Sequence, residues 1–168
     1  QTALCDFRFI GELITLINED DIPEESLLCM FRLLLLIIEN EPEFLKTMNP
    51  SDRIFYTPIT KRFSWSSSAL VKIIQCVASN DYDLQLVTLN FAQHLAKDSP
   101  NITQVVFSRP QAKAILSFKK VIDVDDKEFE EKGRNVRNTL LEFLISLRSS
   151  SYFVRHVCNF DLMDPPQS

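Results

Sequence analysis

The chain has 168 residues, 45% of them hydrophobic and 24% charged, with eight prolines and only two glycines. That apolar fraction excludes a disordered chain, and the length suits one domain with a core that needs no metal or disulfide staple. The scarcity of glycine argues against turn-rich sandwiches, dinucleotide folds and phosphate loops, and a net charge of −5 argues against nucleic acid as main partner.

Phe7, Ile10, Leu13, Ile14 and Ile17 recur at three and four, the spacing of one helical face, and Asn18 with Glu19-Asp20-Asp21 closes a short first helix. Pro23-Glu24-Glu25-Ser26 opens a second, since proline suits a first turn and carboxylates suit the positive end of the macrodipole. This helix is expected to reach about Ile38 and, being apolar all round, to lie in the middle of a packed layer. Its window Leu27 to Ile38 contains Arg32 and is shorter than the about 20 apolar residues of a membrane span. Asn40-Glu41-Pro42 predicts a stop, followed by a further short helix over Phe44, Leu45 and Met48 before Asn49-Pro50.

Ser51 to Ser68 reads as a long loop, broken by Tyr56-Thr57-Pro58 and by Ser64-Trp65-Ser66-Ser67-Ser68. Loops beyond about 12–15 residues are functional or partly disordered. Phe55, Tyr56, Phe63 and Trp65 sit in this stretch, and aromatics in a polar loop either fold back on the core or meet a partner.

Ala69 to Val77 is a helix with Leu70, Ile73, Ile74 and Val77 on its apolar face. Asp81-Tyr82-Asp83 then caps the clearest helix of the chain, with Leu84, Val87, Phe91 and Leu95 on one face and an end near Asp98-Ser99-Pro100. Asn101 to Lys120 predicts one helix broken at Arg109-Pro110. An acidic link, Asp123 to Glu131, leads to a last long helix with Val136, Leu140, Phe143, Leu144 and Leu147 buried. Tyr152 to Cys158 continues briefly, and 164–168 is expected to be a disordered tail. No segment alternates apolar and polar residues as strands do. The reading is one all-α domain over 1–168, with antiparallel helical hairpins stacked as an α-solenoid. Gln1 opens it without a methionine or a signal-peptide pattern, so a longer parent chain is expected.

The run Asn80-Asp81-Tyr82-Asp83-Leu84-Gln85-Leu86-Val87-Thr88-Leu89-Asn90-Phe91-Ala92 resembles a HEAT or armadillo repeat: a polar cap, an apolar pair, then the small Ala92 before Leu95. The resemblance covers Leu70 to Leu95, with a fainter echo in Arg134 to Leu147. Thr88 stands where those families usually carry arginine, and the glycine between armadillo helices is absent. The resemblance implies a protein-binding scaffold.

Chemistry-bearing patterns are sparse. Asp123-Val124-Asp125-Asp126 begins like a calcium loop, but Lys127 takes the fifth position, Glu128 the glycine position and Arg134 that of the closing glutamate. No metal or cofactor is therefore expected. His94 lacks an identifiable nucleophile and orienting acid and reads as a boundary residue beside Phe91 and Leu95. Lys61-Arg62-Phe63-Ser64 resembles a basophilic kinase site. Arg134, Arg137 and Asn138 share the exposed side of the last helix; they either form a solubilising face that pairs with Glu130 and Glu131, the default, or hold an acidic peptide by charge-assisted hydrogen bonds.

The four cysteines, Cys5, Cys29, Cys76 and Cys158, form no CxxC pair, and Cys29 and Cys76 lie in apolar stretches where reduced cysteine packs as a small hydrophobe. The expected function is a non-catalytic scaffold segment in an intracellular complex, cytoplasmic or nuclear, that docks a partner protein by apolar burial and shape through Phe55, Tyr56, Phe63, Trp65, Arg134, Arg137 and Asn138. The alternative is a secreted four-helix signalling protein with two disulfides, to which the sequon Asn101-Ile102-Thr103 would belong. A third reading is part of an enzyme whose site lies elsewhere in a longer chain.

Overall fold

The computed structural model describes residues 7–64, 66–77, 79, 81–98, 101–106 and 127–147, and within them every regular element is helical. In chain order these are α1 (Phe7–Ile17), α2 (Glu24–Thr47), α3 (Pro50–Arg53), α4 (Ile59–Ser64), α5 (Ser67–Val77), α6 (Tyr82–Asp98), α7 (Asn101–Val106) and α8 (Lys127–Leu147). The all-α expectation holds for the described residues.

The sequence builds α6 first. The Asp81 carboxylate accepts from the backbone N–H groups of Asp83 (2.9 Å) and Leu84 (3.3 Å), satisfying donors that a helix start leaves unpaired. From this cap α6 runs against α2, α4, α5, α7 and α8. Leu84, Val87, Leu89, Phe91, Ala92 and Leu95 are buried, and so are Gln85 and Thr88. The two polar side chains are tolerated because backbone carbonyls are within reach: Thr88 Oγ1 donates to Leu84 O at 2.7 Å, and Gln85 Nε2 to Val77 O, at the end of α5, at 2.8 Å. Gln85 Oε1 has no partner among the described residues, so its nitrogen alone holds the side chain.

Phe91 is the centre of an aromatic trio. Phe31 from α2 meets it edge-on at 5.7 Å between centroids, and Phe63 from α4 at 4.9 Å. Such pairs add about 0.5–1.5 kcal/mol each beyond burial. On the other side, Val136, Leu140, Phe143 and Leu147 bury one stripe of α8, which packs on α6. Gly133 makes the close approach possible, since a Cβ there would stand 3.3 Å from the Tyr82 hydroxyl of α6. Gln93 Nε2 also donates across the helix pair to Thr139 O at 3.2 Å.

The structure corrects several expectations. The stop at Asn40-Glu41-Pro42 does not occur, and α2 continues through Pro42 to Thr47. An interior proline costs about 3 kcal/mol, and here tertiary contacts made by Glu41 and Phe44, described below, offset it. Nor is α2 buried all round. Cys29, Arg32, Leu36 and Glu39 follow one another along a solvent-facing stripe, and the central position belongs to α6. The stretch from Ser51 to Ser68 is not one loop: it holds most of α3, all of α4 and the start of α5. Pro50 starts α3 at the first helical position, and Glu41 caps α4 from a distance, a tertiary contact invisible to local spacing. The acidic link is shorter than read, because α8 already begins at Lys127. Cys76 is buried as expected but Cys29 is exposed, and both are free thiols. Cys5, Cys158, the break at Arg109-Pro110, the calcium-like Asp123–Asp126, the continuation Tyr152–Cys158 and the tail 164–168 lie outside the described residues.

Truncating the trio's centre should be costly. Phe91→Ala is expected to lose about 3–5 kcal/mol in urea unfolding, against about 1 kcal/mol for Asp81→Ala. A Phe91→Ala loss no larger than the Asp81→Ala loss would contradict the arrangement.

Candidate functional site

Besides the single exposed side chains Leu16 and Leu36, two surfaces among the described residues each present a pair of large apolar side chains outward, and each is built from an identifiable local cause. The first is the turn between α3 and α4. Phe55 N–H donates to Asp52 O (3.1 Å) and Tyr56 N–H to Arg53 O (3.2 Å), so the chain doubles back tightly after Arg53. Ile54 is 78% and Phe55 77% exposed at its tip.

The tip is held from behind. Glu41, buried near the end of α2, accepts from the Tyr56 hydroxyl at 2.7 Å and from the Ile59 backbone N–H at 3.1 Å through the same oxygen. One carboxylate thereby ties Tyr56 and the first turn of α4 to α2. The Tyr56 ring lies 5.7 Å from Phe44, tilted by 58°, and the Arg62 guanidinium sits 5.4 Å from its centroid. Arg62 Nε donates to Thr57 O at 2.8 Å, and Arg53 Nη2 to Lys46 O at 3.2 Å, which answers one of the orphan carbonyls ending α2. The turn is thus fixed on both flanks while its two largest apolar side chains stay in solvent.

The second surface is the outward side of α8. Arg134, Arg137 and Asn138 are exposed there as expected, and Leu141 and Ile145 continue the same face, 48% and 54% exposed. Arg134, Asn138, Leu141 and Ile145 are spaced by four, three and four, opposite the stripe packed on α6. No carboxylate lies within 4 Å of Arg134 or Arg137 among the described residues, so the pairing with Glu130 and Glu131 is not made.

The residues expected to bind a partner therefore separate. Phe55 and Tyr56 share the pinned turn, with Tyr56 half-buried against α2. Phe63 is corrected to a core residue, fully buried against Phe91, because α4 turns it inward. Trp65 lies outside the described residues. The kinase-like Lys61-Arg62-Phe63-Ser64 is helical with Arg62 and Phe63 buried, so it is not an extended, accessible peptide. Ile54, Leu141, Ile145 and Glu41 were missed. A wheel of α8 would have shown Leu141 and Ile145 off the buried stripe, whereas Glu41 carried no local signal.

Catalytic geometry is sparse. A shallow cleft of about 410 Å³ between the end of α1 and α5 is lined by Asn18, Asp20, Ser68, Val71, Lys72 and Gln75. Beside it, Cys76 is an inert thiol: burial pushes it up to about 11, against the pull of the Lys72 ammonium, with Glu24 adding to the rise. His94 is half-buried on α6. Among the described residues no three His, Cys, Asp or Glu side chains gather as metal ligands, and no helix is long and apolar enough to cross a membrane.

Comparison with protein families, with curated proteins and with solved structures finds no match to this chain. Over the described residues the chain is a helical protein with its core gathered around α6.

If Glu41 pins the turn, Glu41→Gln should lose about 1–3 kcal/mol in denaturant unfolding and speed amide exchange over 54–59. Unchanged stability and exchange would show that the turn is held by other contacts.

Proposed function

We propose that this chain is a non-catalytic scaffold segment of HEAT or armadillo-like α-solenoid type that docks a partner protein by apolar burial and shape within an intracellular complex. The observation that carries the reading is the pinned turn: Ile54 and Phe55 stay almost wholly exposed although Glu41, Phe44 and Arg62 hold the backbone around them. Exposing two large apolar side chains forgoes burial worth about 1.5–3 kcal/mol apiece. A pre-ordered turn has also paid its entropy before an encounter, which is how a small contact gains affinity. Aromatic anchors of this kind are typical of binding hot spots. The repeat-like architecture draws its support from the α5–α6 pair, two helices in contact across a short connection.

A photo-crosslinker tests the reading directly. With benzoylphenylalanine in place of Phe55, irradiation in cells should yield one recurrent protein adduct that Ile54→Ser diminishes. Adducts no more selective than those from a probe at the exposed Glu39 would overturn it.

A further inference from the structure

We propose that a second copy of this chain is the partner of the pinned turn: Ile54 and Phe55 of one copy enter a notch on the outward face of α1 of the next, so that copies associate head to tail. This names the protein that meets the turn, and it rests on the scaffold reading.

The notch exists because of a glycine that nothing inside the molecule calls for. Gly11 stands in the middle of α1, where glycine is the poorest helix former after proline. Its φ is not positive, and a Cβ built on it would meet nothing within 4 Å among the described residues beyond its own helix. Neither backbone conformation nor internal packing therefore requires it. What it leaves is a cleft of about 550 Å³ on the solvent side of α1, lined by Arg8, Gly11, Glu12, Thr15 and the exposed Leu16. An apolar hollow of about 150 Å³ already takes a benzene ring, so the notch has room for the Phe55 ring and the Ile54 side chain.

The tip is the counterpart. Ile54 and Phe55 are the most exposed large apolar side chains of the described residues, and Glu41 fixes the backbone beside them. Notch and tip belong to different ends of α2: α1 leads into its first turn and the tip follows its last, with 24 residues, about 36 Å of helix, between. A protrusion and a recess at separate places on one chain make a heterologous contact, which adds copies in line instead of closing a pair.

Charge favours the same direction. Five carboxylates and no cation occupy 18–25, directly after α1, where Lys72 reaches in to the Glu19 carbonyl at 3.4 Å. By contrast, 50–64 holds Arg53, Lys61 and Arg62 against Asp52. Head-to-tail association sets the acidic end of one copy by the basic end of the next, whereas joining like ends would oppose like charges. At the contact itself the notch offers Arg8 and Glu12, and the tip Asp52 and Arg53. Glu12 and Arg53 make no ion pair among the described residues, so each can meet the other across the contact.

Sedimentation of the 168-residue chain tests this. Raised to about 1 mM, the range of small interfaces, the chain should associate stepwise without stopping at a dimer. Phe55→Ser removes the tip and Gly11→Gln fills the notch, and each variant alone should stay monomeric. Gly11→Gln should at the same time raise the melting temperature, because glutamine favours a helix and meets no neighbour, so its lost association is not lost folding. Mixing the two variants should join the intact notch of one to the intact tip of the other, giving a dimer that does not grow. Arg53→Glu should weaken association about tenfold, and adding Glu12→Arg to the same chain should recover it. A chain monomeric throughout, a closed dimer indifferent to Gly11→Gln or Phe55→Ser, a mixture that stays monomeric, or Phe55-dependent attachment to lipid vesicles without self-association would each overturn the proposal. In any of those cases a recurrent adduct from position 55 to a different protein would leave the scaffold reading standing, and unselective adducts would remove that reading as well.

Discussion

The fold depends on α6 being surrounded. A helix packed against α2, α4, α5, α7 and α8 must hide most of the side chains it carries, and α6 hides two that are polar. Burying an amide or a hydroxyl without a partner costs about 1–3 kcal/mol, comparable to what a single apolar side chain contributes. Thr88 avoids most of that cost by bonding the preceding turn of its own helix, and the Gln85 amide nitrogen does so by capping the last carbonyl of α5, while its oxygen has no partner among the described residues. The Gln85 bond also places α5 relative to α6. From that placement the other helices follow: α2 and α4 bring Phe31 and Phe63 onto Phe91, and α8 closes over Gly133 onto Tyr82.

The same logic explains why the α3–α4 turn is ordered. Its hydrogen-bonding needs are met by α2, through Glu41 and the Lys46 carbonyl, and its aromatic ring by Phe44. The side chains of Ile54 and Phe55 take no part in this and are left outside. On α8, the packed stripe likewise fixes the helix without enlisting Leu141 or Ile145. Both surfaces therefore join a rigid base to unburied apolar groups, a combination that lowers the ordering cost of association.

Much of the fold was legible because apolar periodicity is local. The stripes of α1, α5, α6 and α8 lie close to where their spacing put them, and the Asp81 cap forms as its residue type suggested. What failed was tertiary. Pro42 reads as a stop because the compensation for it, Glu41 bound to Tyr56 and Ile59, joins residues 15 and 18 positions apart. Hydropathy pointed to α2 as the centre, since leucine and isoleucine dominate it, yet the polar Gln85, Thr88 and Asn90 of α6 disguise the helix that is truly enclosed. Of the site, the position of Phe55 and the solvent side of Arg134, Arg137 and Asn138 were readable, whereas Phe63 turned inward once α4 formed.

Amide hydrogen exchange followed residue by residue measures the central claim most directly. If α6 is the enclosed helix, the amides of Val87 to Leu95 should be the slowest in the described chain, exchanging only through global unfolding, while those of α1 open locally and much sooner. Protection that peaks in α2 or α1, with α6 exchanging through local opening, would contradict the account.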